Sequence, residues 1–327
     1  SGLGIEVFDS GNTSVYCAAG NSHGFFLPDG QTYKVKVFTE TPGEYHICAV
    51  HPPTNDEQST AAPLTLHPPG TCLPLETTMA GATNAFPQTS CALPGSVDLW
   101  YTVTGGAGFG ATIELDPGTA TNMGIQVFDG QFGTETYCSI GNTHSFQVPS
   151  GSTYFVKVFA QIAGTFTLCA TAAPDNNEAF GATPLTLHQP GNCTPLLAST
   201  AFATNSGTGC SSPLPEVSDV WFTVTGGLGM AVTIELTPIT ASGLGLQVRD
   251  GQFGNETYCG TGNTHSFQVP MGTTYFIKVS AAGDQGTFGI CAITAPDNNE
   301  NFSPVALPVQ PTGTCTGLAA STTYATN

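Results

Sequence analysis

The chain carries little charge of either sign and almost none that is positive. Of its 327 residues, 23 are acidic and 5 are Lys or Arg, a formal net charge of −18. Charged side chains make up 9% of the chain, against the ~25% of an ordinary soluble domain. Five cations cannot neutralise a phosphate backbone, so nucleic-acid binding is excluded, and docking on anionic lipid is disfavoured for the same reason. No apolar run approaches the ~18 residues of a spanning helix, so no membrane insertion is expected. The chain contains no Cys-x-x-Cys, no His-Glu-x-x-His and no Walker lysine, the motifs that carry zinc, metalloprotease and nucleotide chemistry.

What the sequence does have is turn residues and repetition. Gly and Pro number 40 and 24 beside 40% hydrophobic residues, too apolar for disorder and too rich in turns for a helical protein. Residues 129–138 (DGQFGTETYC) recur at 250–259 with one change, and 141–149 (GNTHSFQVP) recur unchanged at 262–270, with a divergent copy at 20–28. Trp100 and Trp221 are 121 residues apart, and Tyr33, Tyr154 and Tyr275 keep the same spacing, so the period has the size of a whole domain. The segments beginning at Pro53, Pro174 and Pro296 divide the chain into the C-terminal part of one repeat (1–52), complete repeats at 53–173 and 174–295, and the start of another (296–327). The expectation is a window on a much longer chain. Within a repeat, apolar residues alternate with period two in short runs bounded by Gly and Pro turns, as in Ala111, Ile113 and Leu115. This predicts an all-β fold, a tandem array of β-sandwiches.

The eleven cysteines fall into two classes in repeat register. Their spacing predicts two disulfides per domain between nearest neighbours: Cys72–Cys91 and Cys193–Cys210 early in a repeat, Cys17–Cys48, Cys138–Cys169 and Cys259–Cys291 late in it. Cys315 falls in register with Cys72 and Cys193. Such usage points to an oxidising, extracellular setting.

The order DLWYTV (98–103), GATIEL, GIQVFDG, SFQVPSGSTYFVKV and GTFTLCA, repeated as DVWFTV, AVTIEL, GLQVRDG, SFQVPMGTTYFIKV and GTFGICA, resembles the bacterial pre-peptidase C-terminal domain. The version with paired cysteines resembles tandem repeats of giant type IX-secreted surface and adhesin proteins of Bacteroidota. The resemblance implies a jelly-roll-like β-sandwich on the cell surface, without catalysis of its own. It also implies that the opening segment of each repeat can hold Ca²⁺. The oxygen ligands in question are Asn55, Asp56 and Glu57, then Asp175, Asn177 and Glu178, then Asp297, Asn299 and Glu300. A polar linker turn is the alternative, since the spacing is not that of an EF-hand. Calcium is the only cofactor suggested.

Other motifs yield to plainer readings. Gly20 to Gly24 (GNSHG) imitates a nucleophile elbow, but a strand follows and the other copies have Thr143 and Thr264 in place of Ser. Gly106 to Ala111 imitates a dinucleotide fingerprint but leads into a strand. His23, His144 and His265 hold one register and read as loop histidines bonded to backbone. Lys36, Lys157 and Lys278 share one strand position and are expected to form partly exposed pairs with Asp9, Asp129 and Asp250.

The function these features support is a non-catalytic structural repeat of a long extracellular fibre, filament or adhesin stalk, used in gliding, attachment or prey capture. Its partners would be neighbouring repeats and, through self-association, other fibres. The alternatives are a carbohydrate- or protein-binding module array, which would need exposed aromatics, and an appendage of a secreted hydrolase.

Overall fold

This computed structural model describes residues 2–21, 23–25, 27–28, 30–84, 90–91, 94–207, 218–299, 304–319 and 321–325. Among the described residues the chain is all-β, with short 3₁₀ turns at Gln58–Thr60 and Ala179–Gly181. The first part holds β1 (Leu3–Phe8), β2 (Ser14–Ala19) and β3 (Lys34–Thr39), paired in the order β2-β1-β3. The first complete domain contains β4 (Ala62–Leu64), β5 (Leu75–Thr78), β6 (Val97–Thr104), β7 (Gly110–Pro117), β8 (Thr121–Phe128), β9 (Glu135–Ile140), β10 (Thr143–Gln147), β11 (Thr153–Ile162) and β12 (Thr165–Ala172). The second contains β13 (Thr183–Pro184), β14 (Leu187–His188), β15 (Leu196–Ser199), β16 (Ser218–Thr225), β17 (Ala231–Pro238), β18 (Leu244–Arg249), β19 (Glu256–Thr261), β20 (Thr264–Gln268), β21 (Thr274–Ala281) and β22 (Thr287–Thr294).

Each complete domain packs two sheets face to face. In the first they run β10-β7-β12-β5 and β4-β6-β11-β8-β9; in the second the five-stranded order recurs as β13-β16-β21-β18-β19. Inward residues follow the period-two pattern. Leu99, Tyr101 and Val103 on β6, Val156 and Val158 on β11, and Ile125 and Val127 on β8 meet Ile113 and Leu115 on β7 and Phe166 and Leu168 on β12. Val220, Phe222, Leu246, Ile277, Ile234 and Phe288 build the same core in the second domain.

The outer face of the five-stranded sheet is buried too, which a two-layer sandwich does not require. Asp98, Trp100, Gln126, Phe128, Lys157 and Phe159 lie on it and are all buried. Trp100 and Phe128 form a separate cluster with Ala61 and Phe155. The cover is the opening segment of the same repeat: Trp100 N–H donates to the Asn55 carbonyl at 2.7 Å, and Trp221 N–H to that of Asn176 at 2.7 Å. So the period-two alternation marks one buried face, while the sheet has two.

The cysteine pairing differs from the nearest-neighbour expectation. The bridges are Cys72–Cys169, Cys91–Cys138 and Cys193–Cys291. Cys259 is also disulfide-bonded, and Cys210 lies outside the described residues. The physical reason is the crossover between sheets. Cys138 sits on β9 of the five-stranded sheet and Cys169 on β12 of the four-stranded one, so their closeness in sequence is not closeness in space. Antiparallel pairing of β12 with β5, Leu168 opposite Leu75, instead brings Cys72 beside Cys169, with Cα atoms 6.0 Å apart. The expected pair Cys17–Cys48 is not formed either, and both are exposed thiols, as is Cys315. Cys17 and Cys48 match Cys138 and Cys169 in register, and residues 1–52 hold no counterpart of Cys91 or Cys72.

Candidate functional site

The candidate site lies where the opening segment closes over the outer face of the five-stranded sheet. Its centre is an ion pair. Lys157 Nζ stands 3.1 Å from Asp98 Oδ2, and Lys278 Nζ 3.5 Å from Asp219 Oδ2, every one of these side chains at most 1% exposed. The pairs arise from register: Lys157 is opposite Trp100 and Phe159 opposite Asp98, so the acid and the base are diagonal neighbours on one face of β6 and β11. Each ammonium also lies over the indole, 5.7 Å from the Trp100 ring and 5.6 Å from that of Trp221.

The expected carboxylate partners were the wrong ones. Asp129 and Asp250 instead close the turn after β8 and β18, accepting Thr134 N–H at 2.7 Å and Asn255 N–H at 2.6 Å, and Asp9 accepts Thr13 N–H at 2.8 Å. Lys36 pairs with Glu6 at 3.0 Å and is 61% exposed. The pairs of the complete domains are therefore buried, not partly exposed. The adjacent strand, two residues out of register, supplies the acid, and spacing along the chain does not reveal that.

In the opening segment, Asn55 Nδ2 donates to the Trp100 carbonyl and Asn176 Nδ2 to that of Trp221, both at 3.0 Å. The Asp56 carboxylate accepts from Thr83 N–H at 2.7 Å and from its hydroxyl at 2.6 Å. Asn177 in the same register accepts Thr204 N–H at 2.7 Å and donates to its hydroxyl. Asp175 and Asp297 face solvent, Asn299 donates to the Gly229 carbonyl, and Glu300 lies outside the described residues. Several of the oxygens named as calcium ligands are already engaged by protein donors. Asn55, Asp56 and Asn177 are spent inside the fold, and among the described residues no three His, Cys, Asp or Glu side chains converge as a metal site. Sequence reading missed Asn176, whose role is visible only once Trp221 is seen beneath it.

Glu178 completes the site. Its Oε1 accepts from Gln147 Nε2 of the preceding domain at 3.1 Å. Burial, then the nearby Asp219 charge, pushes its carboxyl up to about 7, with Lys278 pulling the other way. Glu57 is raised likewise, by burial and Asp56 against Lys157. A carboxyl whose folded pKa exceeds its unfolded value stabilises the fold below the unfolded value and loses that contribution as pH rises through the folded one. Stability should therefore fall between about pH 4.5 and 7, by roughly 1 kcal/mol after discounting for solvent screening at this half-buried group. Melting curves of the wild type and Glu178→Gln across that range check it, the variant showing the flatter profile. His144 and His265, held low by burial, slope the opposite way in both proteins and cancel in the comparison.

The junction between the complete domains is built from the same segment. Phe180 packs edge-on against Phe109 with ring centroids 4.1 Å apart. Phe109 and Met230, at matching positions, adopt left-handed backbone conformations (φ 55° and 51°). Gly108 and Gly229 lie so close to the linker that a Cβ would strike the carbonyls of Ala173 and Pro174, or of Ala295 and Pro296. The histidines are structural: Nε2 of His23, His144 and His265 reaches the carbonyls of Gly20, Gly141 and Gly262 at 2.9–3.0 Å, and Nδ1 the hydroxyls of Tyr16, Tyr137 and Tyr258. Each complete domain also carries a strongly exposed aromatic ring. Phe132 and Phe253, at the same place in the turn after β8 and β18, are 80% and 87% exposed.

Comparison with known proteins gives one informative match. No curated protein matches the chain. Similar solved structures include the CUB1-EGF-CUB2 domains of rat MASP-1 (9% identity, 66% of this chain and 96% of that one, TM-score 0.18). Another is the N-terminal tandem CBM22 domain of Xyn10C from Paenibacillus barcinonensis (9% identity, 72% and 87%, TM-score 0.18). TM-scores this low carry no argument. The profile of the galactose-binding-domain-like family associated with type IX secretion matches residues 54–168 and again 175–290. It shares the tandem β-sandwich expectation and the secretion route with the pre-peptidase resemblance, but it is a different family. Two consecutive matches, falling on two sandwiches with one strand order, place this chain in the galactose-binding-domain-like family associated with type IX secretion.

Proposed function

We propose that the chain is a non-catalytic, load-bearing segment of an extracellular surface protein, a stalk or fibre built from repeated sandwiches. The observation that carries this reading is the corrected disulfide connectivity. Cys72–Cys169 and Cys193–Cys291 span 97 and 98 residues, nearly a whole repeat. Tension applied along the chain passes through each bridge and bypasses the strands inside the loop. Only the segment from Cys169 to Cys193 is left to carry it between domains. That segment is the one clamped by Asn176 on Trp221 and by Phe180 on Phe109. The family's link to type IX secretion fits such a protein outside the cell, where the bridges stay oxidised.

Stretching the chain by its ends tests this. With bridges intact, each complete domain should lengthen by at most about 80 Å, the reach of the 24 residues outside the loop. After reduction the limit rises to about 400 Å for the whole repeat. Long steps under oxidising conditions would refute the reading. The second reading, a carbohydrate-binding array, is favoured by Phe132 and Phe253, which present a strongly exposed ring at the same turn of each domain. Phe132 N–H is held by Gln58 Oε1 at 3.1 Å, so the turn is anchored. Loss of glycan binding in Phe132→Ala with Phe253→Ala would support it.

A further inference from the structure

We propose that Lys157 and Asp98, and likewise Lys278 and Asp219, become joined by amide bonds between their side chains, tying β6 to β11 and β16 to β21 covalently. The inference does not depend on the load-bearing reading. It rests on three features of the pairs. First, amine and carboxyl are already in contact on neighbouring strands, at 3.1 and 3.5 Å, inside the fold and shielded by Trp100, Phe128 and Phe155 or by Trp221. Holding the two groups together in one fixed geometry replaces a bimolecular encounter by an intramolecular one. Second, the surroundings suit the product as well as the pair. Lys278 Nζ donates to the Gly207 carbonyl at 3.1 Å, a bond that an amide N–H retains. Ser206 Oγ donates to Asp219 Oδ1, the oxygen turned away from Nζ, which would remain as the amide carbonyl. Third, two buried charges each carry a desolvation cost, and a neutral amide removes both.

The step balances without any co-reactant. Transfer of one proton from Nζ to Asp Oδ2 gives an amine beside a carboxylic acid. Nζ then attacks Cγ, the C–Oδ2 bond breaks, and Oδ2 leaves with its hydrogen and one more from nitrogen as water. Glu57 lies near enough to Lys157, and Glu178 to Lys278 and Asp219, to feel their charges, and burial favours the protonated form of both. Burial likewise favours protonated Asp219. Exclusion of bulk water from the outer-face cluster keeps the reverse hydrolysis slow. Lys36 is the internal control: it shares the strand position, but it is exposed and pairs with Glu6.

Intact mass of the full chain, denatured and reduced, decides the matter. Each bond lowers the mass by about 18 Da, so the expected deficit is about 36 Da. Lys157→Arg and Lys278→Arg should each restore about 18 Da, while Lys36→Arg leaves the deficit unchanged. A peptide map of the wild type should contain branched fragments joining Asp98 to Lys157 and Asp219 to Lys278, a readout that needs no variant to fold. A chain at its full sequence mass overturns the proposal. So does a deficit that survives both Arg substitutions, which would place the lost water at an Asp–Gly step, Asp29–Gly30, Asp129–Gly130 or Asp250–Gly251. If only one branched fragment is found, the proposal fails at the other pair.

Discussion

Replacing Lys278 by Met should lower the stability of its domain by about 3–5 kcal/mol, because Asp219 is then left in the interior with no cation. Melting of the full chain should show the second domain unfolding roughly 10–20 °C earlier. The same substitution at Lys36 should change stability by less than about 0.5 kcal/mol, since an exposed pair gains little in water and keeps its solvation when broken. Three lysines thus occupy one position in the repeat and differ in burial and in the acid they face. Adding Asp219→Leu to Lys278→Met should recover part of the loss, because no uncompensated carboxylate remains. Equal effects at Lys36 and Lys278 would show that burial is not what sets the value of the pair.

The second large effect concerns the bridges. In the chain-entropy account a disulfide stabilises by restricting the unfolded chain, and more so for a longer loop. Removing Cys72 and Cys169 together as Ser should cost about 4–5 kcal/mol, against about 3 kcal/mol for the short loops that nearest-neighbour pairing would close. Peptide mapping of the unreduced chain should join Cys72 to Cys169, Cys91 to Cys138 and Cys193 to Cys291. Thiol labelling should tag Cys17, Cys48 and Cys315. A Cys138–Cys169 peptide would refute both the pairing and the load path drawn from it.

Much of the candidate site was legible in the chain as single residues and little of it as pairs. The shared register of Lys36, Lys157 and Lys278 in a chain with five cations marked that position as special. It did not reveal that Asp98 and Asp219 are the partners, because they lie on a strand far away in sequence and adjacent in the sheet. The opening segment was recognised from its repetition and its oxygen-bearing side chains. Its work proved to be hydrogen bonding to the Trp strand and the following turn, since side chains that could ligate a cation are also those that satisfy buried backbone groups. The exposed Phe132 and Phe253 were hidden inside a repeated turn motif, where nothing in the spacing distinguishes a ring pointing out from one pointing in.

The sequence by itself determined the all-β class, the tandem organisation and the 121-residue period, because these are properties of local order: alternation with period two, turn residues between short runs, and self-similarity along the chain. Only the tertiary structure decided which cysteines meet, which acid faces each lysine, and that the five-stranded sheet is covered on both faces. Those are decided by strand order. Crossing from one sheet to the other separates Cys138 from Cys169 and brings Cys72, 97 residues away, into bonding range. Pairing β6 with β11 places Asp98 beside Lys157, 59 residues along the chain, where the low dielectric of the covered face makes the contact matter.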